Sequence, residues 1–225
     1  MRLVCVSDTH GIFPLPEIPP CDLLLVAGDV EDAHLHPHDT SSQRRYLERV
    51  FAPWLEEAPA RHTVGIAGNH DFLGLRDPDV LYGLPWHYLC DETIEIEGLR
   101  IHGAPWTPPF MDWAFMLPEL ELAAKWALVP DDCDVLLSHG PAYGLGDEVD
   151  NELGPDPRDP HQGSHSLRTF VERHSSLRLH VFGHIHEGAG RGSLERAGLP
   201  LLAWVNAARV DGDYRPLHAP IIVDL

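Results

Sequence analysis

The feature that most restricts how this chain can fold is a repeated handover, in which an apolar run of strand length ends and a cluster of Gly, Asp, Asn and His begins at once. Four clusters follow this rule: Asp8-Thr9-His10, Gly28-Asp29, Gly68-Asn69-His70 and Gly183-His184-Ile185-His186. The apolar runs are residues 3–7, 22–27 and 62–67, with a later pair at 135–138 and 179–182. Runs of this length and content read as strands. Each cluster then lies at the C-terminal end of its strand. In parallel sheets the loops leaving those ends converge over the open end of the core, which is where sites gather. In Asp8-x-His10 and His184-x-His186 the side chains stand two residues apart, so an extended backbone points both to one side.

Between the strands the pattern switches to helical spacing. Over residues 41–57 the apolar positions Tyr46, Leu47, Val50, Phe51, Trp54 and Leu55 recur at that spacing, with Pro53 placed to kink the helix or end it early. Residues 117–129, opened by Pro118, offer Leu120, Leu122, Ala123, Trp126 and Ala127 for burial. Ser164 is placed to cap a third helix over 165–174. Residues 93–101 alternate around Glu97-Gly98, a hairpin signal between antiparallel strands, and 201–205 and 220–225 return to strand. The expectation is a sheet with mixed pairing. Residues 141–163 hold Gly144, Gly146, Gly154, Pro155, Pro157 and Pro160 among acids, which predicts an irregular surface loop beside the site. The 225 residues, 44 % of them apolar, suffice for one substantial core, and we read one domain over 1–225.

Charge narrows the partners. Thirty-five acids against 16 Lys and Arg give a net charge of -19, which argues against coating a nucleic-acid polymer or an anionic membrane. A small phosphate ester stays compatible, because divalent cations would make a pocket locally positive. Cys5, Cys21, Cys90 and Cys133 are widely spaced, form no C-x-x-C unit and read as free thiols. The N-terminus enters a strand directly, no apolar stretch approaches the roughly 20 residues of a membrane span, and a reducing cytoplasm is the expected location.

The clusters suit one chemistry. Attack of water on phosphorus needs a metal to lower the water's pKa and positive charge to hold the phosphoryl oxygens, and two ions about 3.5–4 Å apart supply both. An anionic ligand must bridge ions that close, and Asp29, at the tip of a central strand, is the natural candidate. A mixture of imidazole, carboxylate and amide donors suits Mn, Fe, Co, Ni or Zn better than Mg or Ca, which favour oxygen shells.

At this point the sequence resembles the calcineurin-like metallophosphoesterase superfamily, whose pattern runs D-x-H, G-D-x-x-D, G-N-H-[DE], H and G-H-x-H. Here the elements are Asp8-Thr9-His10, Gly28-Asp29-Val30-Glu31-Asp32, Gly68-Asn69-His70-Asp71, Ser138-His139-Gly140-Pro141 and Gly183-His184-Ile185-His186. Gly103-Ala104-Pro105-Trp106-Thr107-Pro108, the stretch 180–188 and the closing 220–225 look like the metallophosphoesterase-domain-containing subfamily, which includes the fetal-brain-type class III phosphodiesterases and bacterial relatives. Some of its members replace the first His of G-H-x-H by glycine, whereas His184 is present here.

The resemblance implies an α/β (α+β) fold, a four-layer αββα sandwich of two mixed sheets flanked by helices, the metallo-dependent phosphatase fold. It implies one divalent transition metal on Asp8, His10, Asp29 and His186, and a second on Asp29, Asn69, His139 and His184, with Mn the leading choice. His70 would be catalytic, touching the phosphoryl group or protonating the leaving oxygen, with Asp32 orienting it and Asn69 also facing substrate. The implied activity is hydrolysis of small phosphodiesters by metal-bound hydroxide, with 2′,3′- or 3′,5′-cyclic nucleotides as the leading class. A phosphomonoesterase, including a phosphoprotein phosphatase, would use the same centre, and a non-catalytic nucleotide-binding protein is the alternative of another class.

Some residues have plainer readings. The run His34-x-His36-x-His38 imitates a metal motif, but Pro37 and the surrounding acids make it a solvated loop. Trp106, Phe110, Trp113 and Phe115 are capable of stacking on a nucleobase; packing of their own loop is the simpler account. Asn206 resembles a subfamily position near the site, with no role legible in the sequence. Oligomeric state is not legible either.

Overall fold

The computed structural model describes residues 1–12, 14–32, 34–149 and 159–225. Its elements run β1 (Arg2–Val6), β2 (Cys21–Ala27), α1 (Thr40–Tyr46), a π turn (Leu47–Phe51), α2 (Ala52–Glu57) and β3 (Ala60–Ile66). Then come α3 (Phe72–Arg76), α4 (Asp79–Tyr82), β4 (His87–Tyr88), β5 (Glu92–Ile96), β6 (Leu99–Ala104), α5 (Glu119–Trp126) and β7 (Val135–Ser138). The chain closes with α6 (His165–Arg173), β8 (Leu179–Phe182), a 3₁₀ turn (His186–Gly188), β9 (Gly190–Leu194), β10 (Leu202–Asn206) and β11 (Ile221–Asp224).

Two mixed sheets result. The first has the order β11-β1-β2-β3-β4, parallel except for β11. The second has the order β5-β6-β7-β8-β10-β9, with β6, β7, β8 and β10 parallel and both edge strands antiparallel. Period-two alternation divides each strand between two cores. Leu3, Cys5, Leu23, Leu25, Val64 and Ile66 meet Ile101, Leu137, Leu179 and Val181 between the sheets. Val4, Val6, Leu24 and Val26 face the other way, onto Tyr46, Leu47 and Phe51 of the helical segment. On the far side, Leu136 and Phe182 pack against Leu122 and Trp126 of α5 and Leu167 and Val171 of α6. Three cores between four layers make the αββα sandwich that the resemblance implied.

Most elements fall where the pattern put them. Asp39 caps α1 by accepting from the Ser42 N–H at 3.0 Å, and Ser164 caps α6 through Leu167. Pro53 does not end its helix. The π turn just before it carries an Ala52 N–H to Leu47 C=O bond, and this widening relieves the clash of the proline ring with the preceding turn. α5 is shorter than expected, its buried residues are Leu122 and Trp126, and Val129 is buried just beyond its end; Leu120 is 85 % exposed, and Ala123 and Ala127 also face solvent. The expected loop over 141–163 holds no helix or strand among its described residues, and 150–158 lies outside them. All four cysteines are free thiols, three buried and Cys90 half-buried. No helix among the described residues is long and apolar enough to cross a membrane.

Two histidines are buried in the second sheet and neutral. His102 on β6 pairs its Nδ1 with Thr93 Oγ1 at 2.8 Å, and His180 on β8 pairs its Nε2 with Ser138 Oγ at 2.7 Å. Burial pushes the first down to about 4 and the second to about 3. A histidine with a lowered folded-state pKa takes up its proton first in the unfolded chain, so stability falls as pH drops below about 6.5. Between pH 6.5 and 4.5 we expect His102 alone to account for about 2 kcal/mol. Urea midpoints at both pH values will test this: His102→Gln should lose less stability on acidification than the parent, and equal losses would reject it.

Candidate active site

The strand ends bring the sequence clusters together. Asp8 and His10 follow β1, Asp29 follows β2, Asn69 and His70 follow β3, His139 follows β7, and His184 and His186 follow β8. Backbone bonds hold this edge together within each sheet and, through Ser7 and Ala207, between the two. Asp8 N–H donates to Gly28 C=O, Gly183 N–H to His139 C=O, and Ser7 N–H to Ala207 C=O. The extended backbone expected through the D-x-H and H-x-H pairs is absent. The strands stop at Val6 and Phe182, and Asp8, His10 and His184 have φ of 53°, 46° and 69°, as does Asp29 at 53°. Left-handed conformations in non-glycine residues cluster at functional sites because surrounding structure must hold them there. Gly183 is required: a Cβ on it would stand 2.0 Å from Asp8 Oδ2.

Two groups of potential ligand atoms form, Asp8 with His10 and His186, and Asp8 with Asp29 and His139. Asp29 Oδ2 lies 3.6 Å from His10 Nε2 and 3.4 Å from His139 Nε2. His186 Nε2 faces Asp8 Oδ1 and His10 Nε2, both at 3.3 Å. Asn69 Oδ1 lies 2.8 Å from His139 Nε2, and the His184 ring lies 5.1 Å from that of His139, centroid to centroid. Asp8, His10, Asp29, Asn69 and His139 are buried.

The donor chemistry fits divalent metals. His139 Nδ1–H donates to Ala27 C=O at 2.8 Å, so its Nε2 turns an electron pair toward Asp29 and Asn69 oxygens that also carry only electron pairs. His186 repeats the device, donating from Nδ1 to Asp211 C=O at 3.1 Å and presenting Nε2 to Asp8. Fixing the tautomer through the far nitrogen is how ligand imidazoles are oriented. Electron pairs converging in a buried space require positive charge, from protons or from metal ions. The electrostatics of the buried groups make the same demand. Burial opposes protonation of His139, but Asp29 outweighs it and pushes the imidazole up to about 9. Burial would raise Asp8, yet the His186 imidazole pulls it down to about 2. Burial holds His10 and His184 at about 3, as neutral donors.

Beside this set stands His70, half-buried, its backbone N–H donating to Asp29 Oδ1 at 2.7 Å. Its ring packs 4.6 Å from Trp113 and 5.0 Å from His10, centroid to centroid. Asp32, expected to orient it, is engaged elsewhere in this structure. The carboxylate of Asp32 accepts from the His34 N–H at 2.9 Å, closing a local turn, and its backbone sits against Gly11; among the described residues no hydrogen bond joins it to His70. His34, His36 and His38 are exposed as expected, and His38 is tied to α3 through Arg76.

Four residues with no role in the sequence reading complete the site. Asp71, directly after the G-N-H run, accepts backbone N–H bonds from Asp29, Val30, Glu31 and Gly68, clamping the β2 and β3 loops together. Asn206 donates to Gly146 and Ile185 carbonyls and accepts from Ala208 N–H, fixing the end of β10 against the His184 loop. Asp211 accepts on its carbonyl from both His186 and the Tyr214 N–H. Tyr214, with φ of 61°, lies 4.8 Å from His10 and 5.5 Å from His186. The turn sequence Asp211-Gly212-Asp213 was the signal available for the last two.

A carboxylate and imidazole cluster at the shared C-terminal edge of two mixed sheets, flanked by helices, is the architecture of the metallo-dependent phosphatases. The chain belongs to the calcineurin-like phosphoesterase family, which residues 1–188 match. It is 33 % identical over 250 residues to metallophosphoesterase domain-containing protein 1 of Homo sapiens, and likewise to that of Mus musculus, matches that cover 100 % of this chain and 71 % of each relative. The UPF0046 protein T07D4.2 of Caenorhabditis elegans is 32 % identical over 225 residues, covering 84 % of this chain and 52 % of that protein. Membership implies a metal-dependent hydrolase of phosphoesters with a dinuclear divalent centre.

Proposed function

We propose that the protein is a dinuclear phosphodiesterase of small substrates, with cyclic nucleotides as the leading class. One observation carries this reading: Asp29 Oδ2 faces one imidazole from each half of the cluster, His10 and His139, as a bridging carboxylate must. In this assignment Asp8, His10, Asp29 and His186 hold one ion, and Asp29, Asn69, His139 and His184 hold the other. Divalent ions held there, Mn leading, would lower the pKa of water and neutralise phosphoryl charge. The chain's own residues do the rest. Asp71 and Asn206 keep the ligand loops in register, and the Asp29–His70 backbone bond sets the imidazole of His70 beside the donors rather than among them. From there His70 touches the phosphoryl group or gives a proton to the leaving oxygen, since an alkoxide leaves poorly without one.

The acidic chain favours a diester, with one negative charge, over a monoester with two or a polymeric phosphate. Four unpaired thiols support a cytoplasmic location. The test is turnover by metal-stripped protein restored with Mn, Fe, Co, Ni or Zn singly, against bis-4-nitrophenyl phosphate, 4-nitrophenyl phosphate and 2′,3′- and 3′,5′-cyclic nucleotides. Restored cleavage of diesters over the monoester is expected. Cleavage of the monoester alone would make the protein a phosphatase, and silence with every metal would leave a binding role.

A further inference from the structure

The segment 107–117 carries three aromatic side chains, Phe110, Trp113 and Phe115, that the site geometry divides into two groups. Phe115 is 3 % exposed and packs on Trp106, whose indole N–H donates to Asp91 and whose ring lies 4.2 Å from Lys125 Nζ. These two are loop packing, as the simpler account had it. Phe110 and Trp113 are different. From His10 an unbroken aromatic run leads outward: His70 at 5.0 Å, Trp113 at 4.6 Å from His70, and Phe110 at 5.3 Å from Trp113, where the ring is 41 % exposed beside Met111 at 74 %.

The loop is fastened to the site at both ends. Ala114 N–H donates to Asn69 C=O at 3.0 Å, and Thr107 packs on Gly140, where a Cβ would meet it at 3.0 Å. Met111 and Phe115 both have left-handed backbone, φ of 55° and 53°, a costly conformation for such side chains that the loop's own bonds between Thr107, Phe115 and Leu117 maintain. Strained backbone, exposed aromatic faces and continuity with the reacting centre occur together. Segment 107–117 contains no Lys or Arg and one carboxylate, Asp112, so it offers nothing to a second phosphate.

We propose that Phe110 and Trp113 form the subsite for the non-phosphate part of the substrate, and that this part is an uncharged planar aromatic ring. The proposal rests on the phosphodiesterase reading and adds a substrate class to it, because stacking on aromatic faces selects for flat π systems. It also makes Trp113 bifunctional, packing on His70 with one part of its surface and on the substrate with another.

Phosphonates test it without turnover, because their P–C bond is not hydrolysed. Calorimetry on metal-loaded protein should find phenylphosphonate bound about tenfold more tightly than methylphosphonate, about 1.4 kcal/mol, with cyclohexylphosphonate well behind the phenyl compound. Phe110→Ala and Trp113→Ala should each bring the phenyl-to-methyl ratio to within about twofold, and Trp113→Phe should keep most of it. Phe110 is exposed enough for its variant to fold, so it decides the matter if Trp113→Ala does not. Equal affinities in the parent protein, no binding of the phenyl compound, or a preference untouched by either alanine would overturn the subsite. A ring preference in a protein that cleaves no diester would instead remove the phosphodiesterase reading and leave the subsite standing; diester cleavage with no ring preference does the reverse.

Discussion

Asp29→Ala is expected to empty both metal positions and lower turnover by about 10³-fold or more, several kcal/mol of transition-state stabilisation. The carboxylate works at three places at once. Oδ2 faces His10 at 3.6 Å and His139 at 3.4 Å, while Oδ1 accepts the His70 N–H at 2.7 Å. Alanine also inherits a φ of 53°, which disfavours it by roughly 1–2 kcal/mol. Asp29→Asn is therefore the cleaner variant, since Asn tolerates left-handed backbone and its amide oxygen can still accept from His70. Both variants should fold, and both should hold less than half the parent's metal after dialysis, measured by plasma mass spectrometry. Asp8→Asn should lose chiefly the ion shared with His10 and His186, because Asp8 faces His186 at 3.3 Å and lies 3.9 Å from His10. Full metal content in Asp29→Asn would reject the bridge, and would move it to Asp8, the carboxylate common to both ligand groups.

What was legible in advance follows a physical division. Apolar runs ending in Asp, Asn or His were readable because a buried parallel strand leaves a nearly continuous hydrophobic signature, and ligands at its end break that signature sharply. β1, β2, β3, β7 and β8 all begin and end within two residues of the expected places. β4, two residues long, and β9, with the sequence Gly-Arg-Gly-Ser-Leu, carry almost no pattern and were missed. α3 and α4, at five and four residues, are too short for a helical period to register. The residues that converge at the candidate site were legible through the order of their clusters; their supports were not. Asp71, Asn206 and Asp211 act through backbone amides and carbonyls, whose positions depend on the tertiary fold. The extended geometry assumed for Asp8-x-His10 failed because the strand ends at Val6, and the turn that follows uses left-handed residues to fold both side chains back over the sheet edge. The expected Asp32–His70 hydrogen bond is absent among the described residues for a related reason. A short-range turn engages one of the Asp32 carboxylate oxygens with the His34 N–H.

His70→Ala should separate binding from turnover, keeping the parent's metal content and losing about 10²- to 10⁴-fold in rate. Metal is kept because neither ligand group includes His70. The fold is kept because its backbone N–H, which holds Asp29, survives the substitution. The size of the loss should depend on the leaving group, and that dependence distinguishes the two roles open to the imidazole. Expulsion of 4-nitrophenolate requires little protonation, whereas expulsion of an alkoxide, as in opening a cyclic nucleotide, depends on it. A proton donor at His70 therefore predicts a loss at least about tenfold larger for the cyclic nucleotide than for bis-4-nitrophenyl phosphate. A histidine that only grips the phosphoryl oxygens predicts equal losses, and His70→Asn would then recover part of the rate for both substrates by supplying a neutral donor. Substitution of Asp32, whose carboxylate accepts from the His34 N–H, should change neither ratio. Turnover within about threefold of the parent in His70→Ala, on both substrates, would remove this residue from the chemistry and leave the proton to come from solvent.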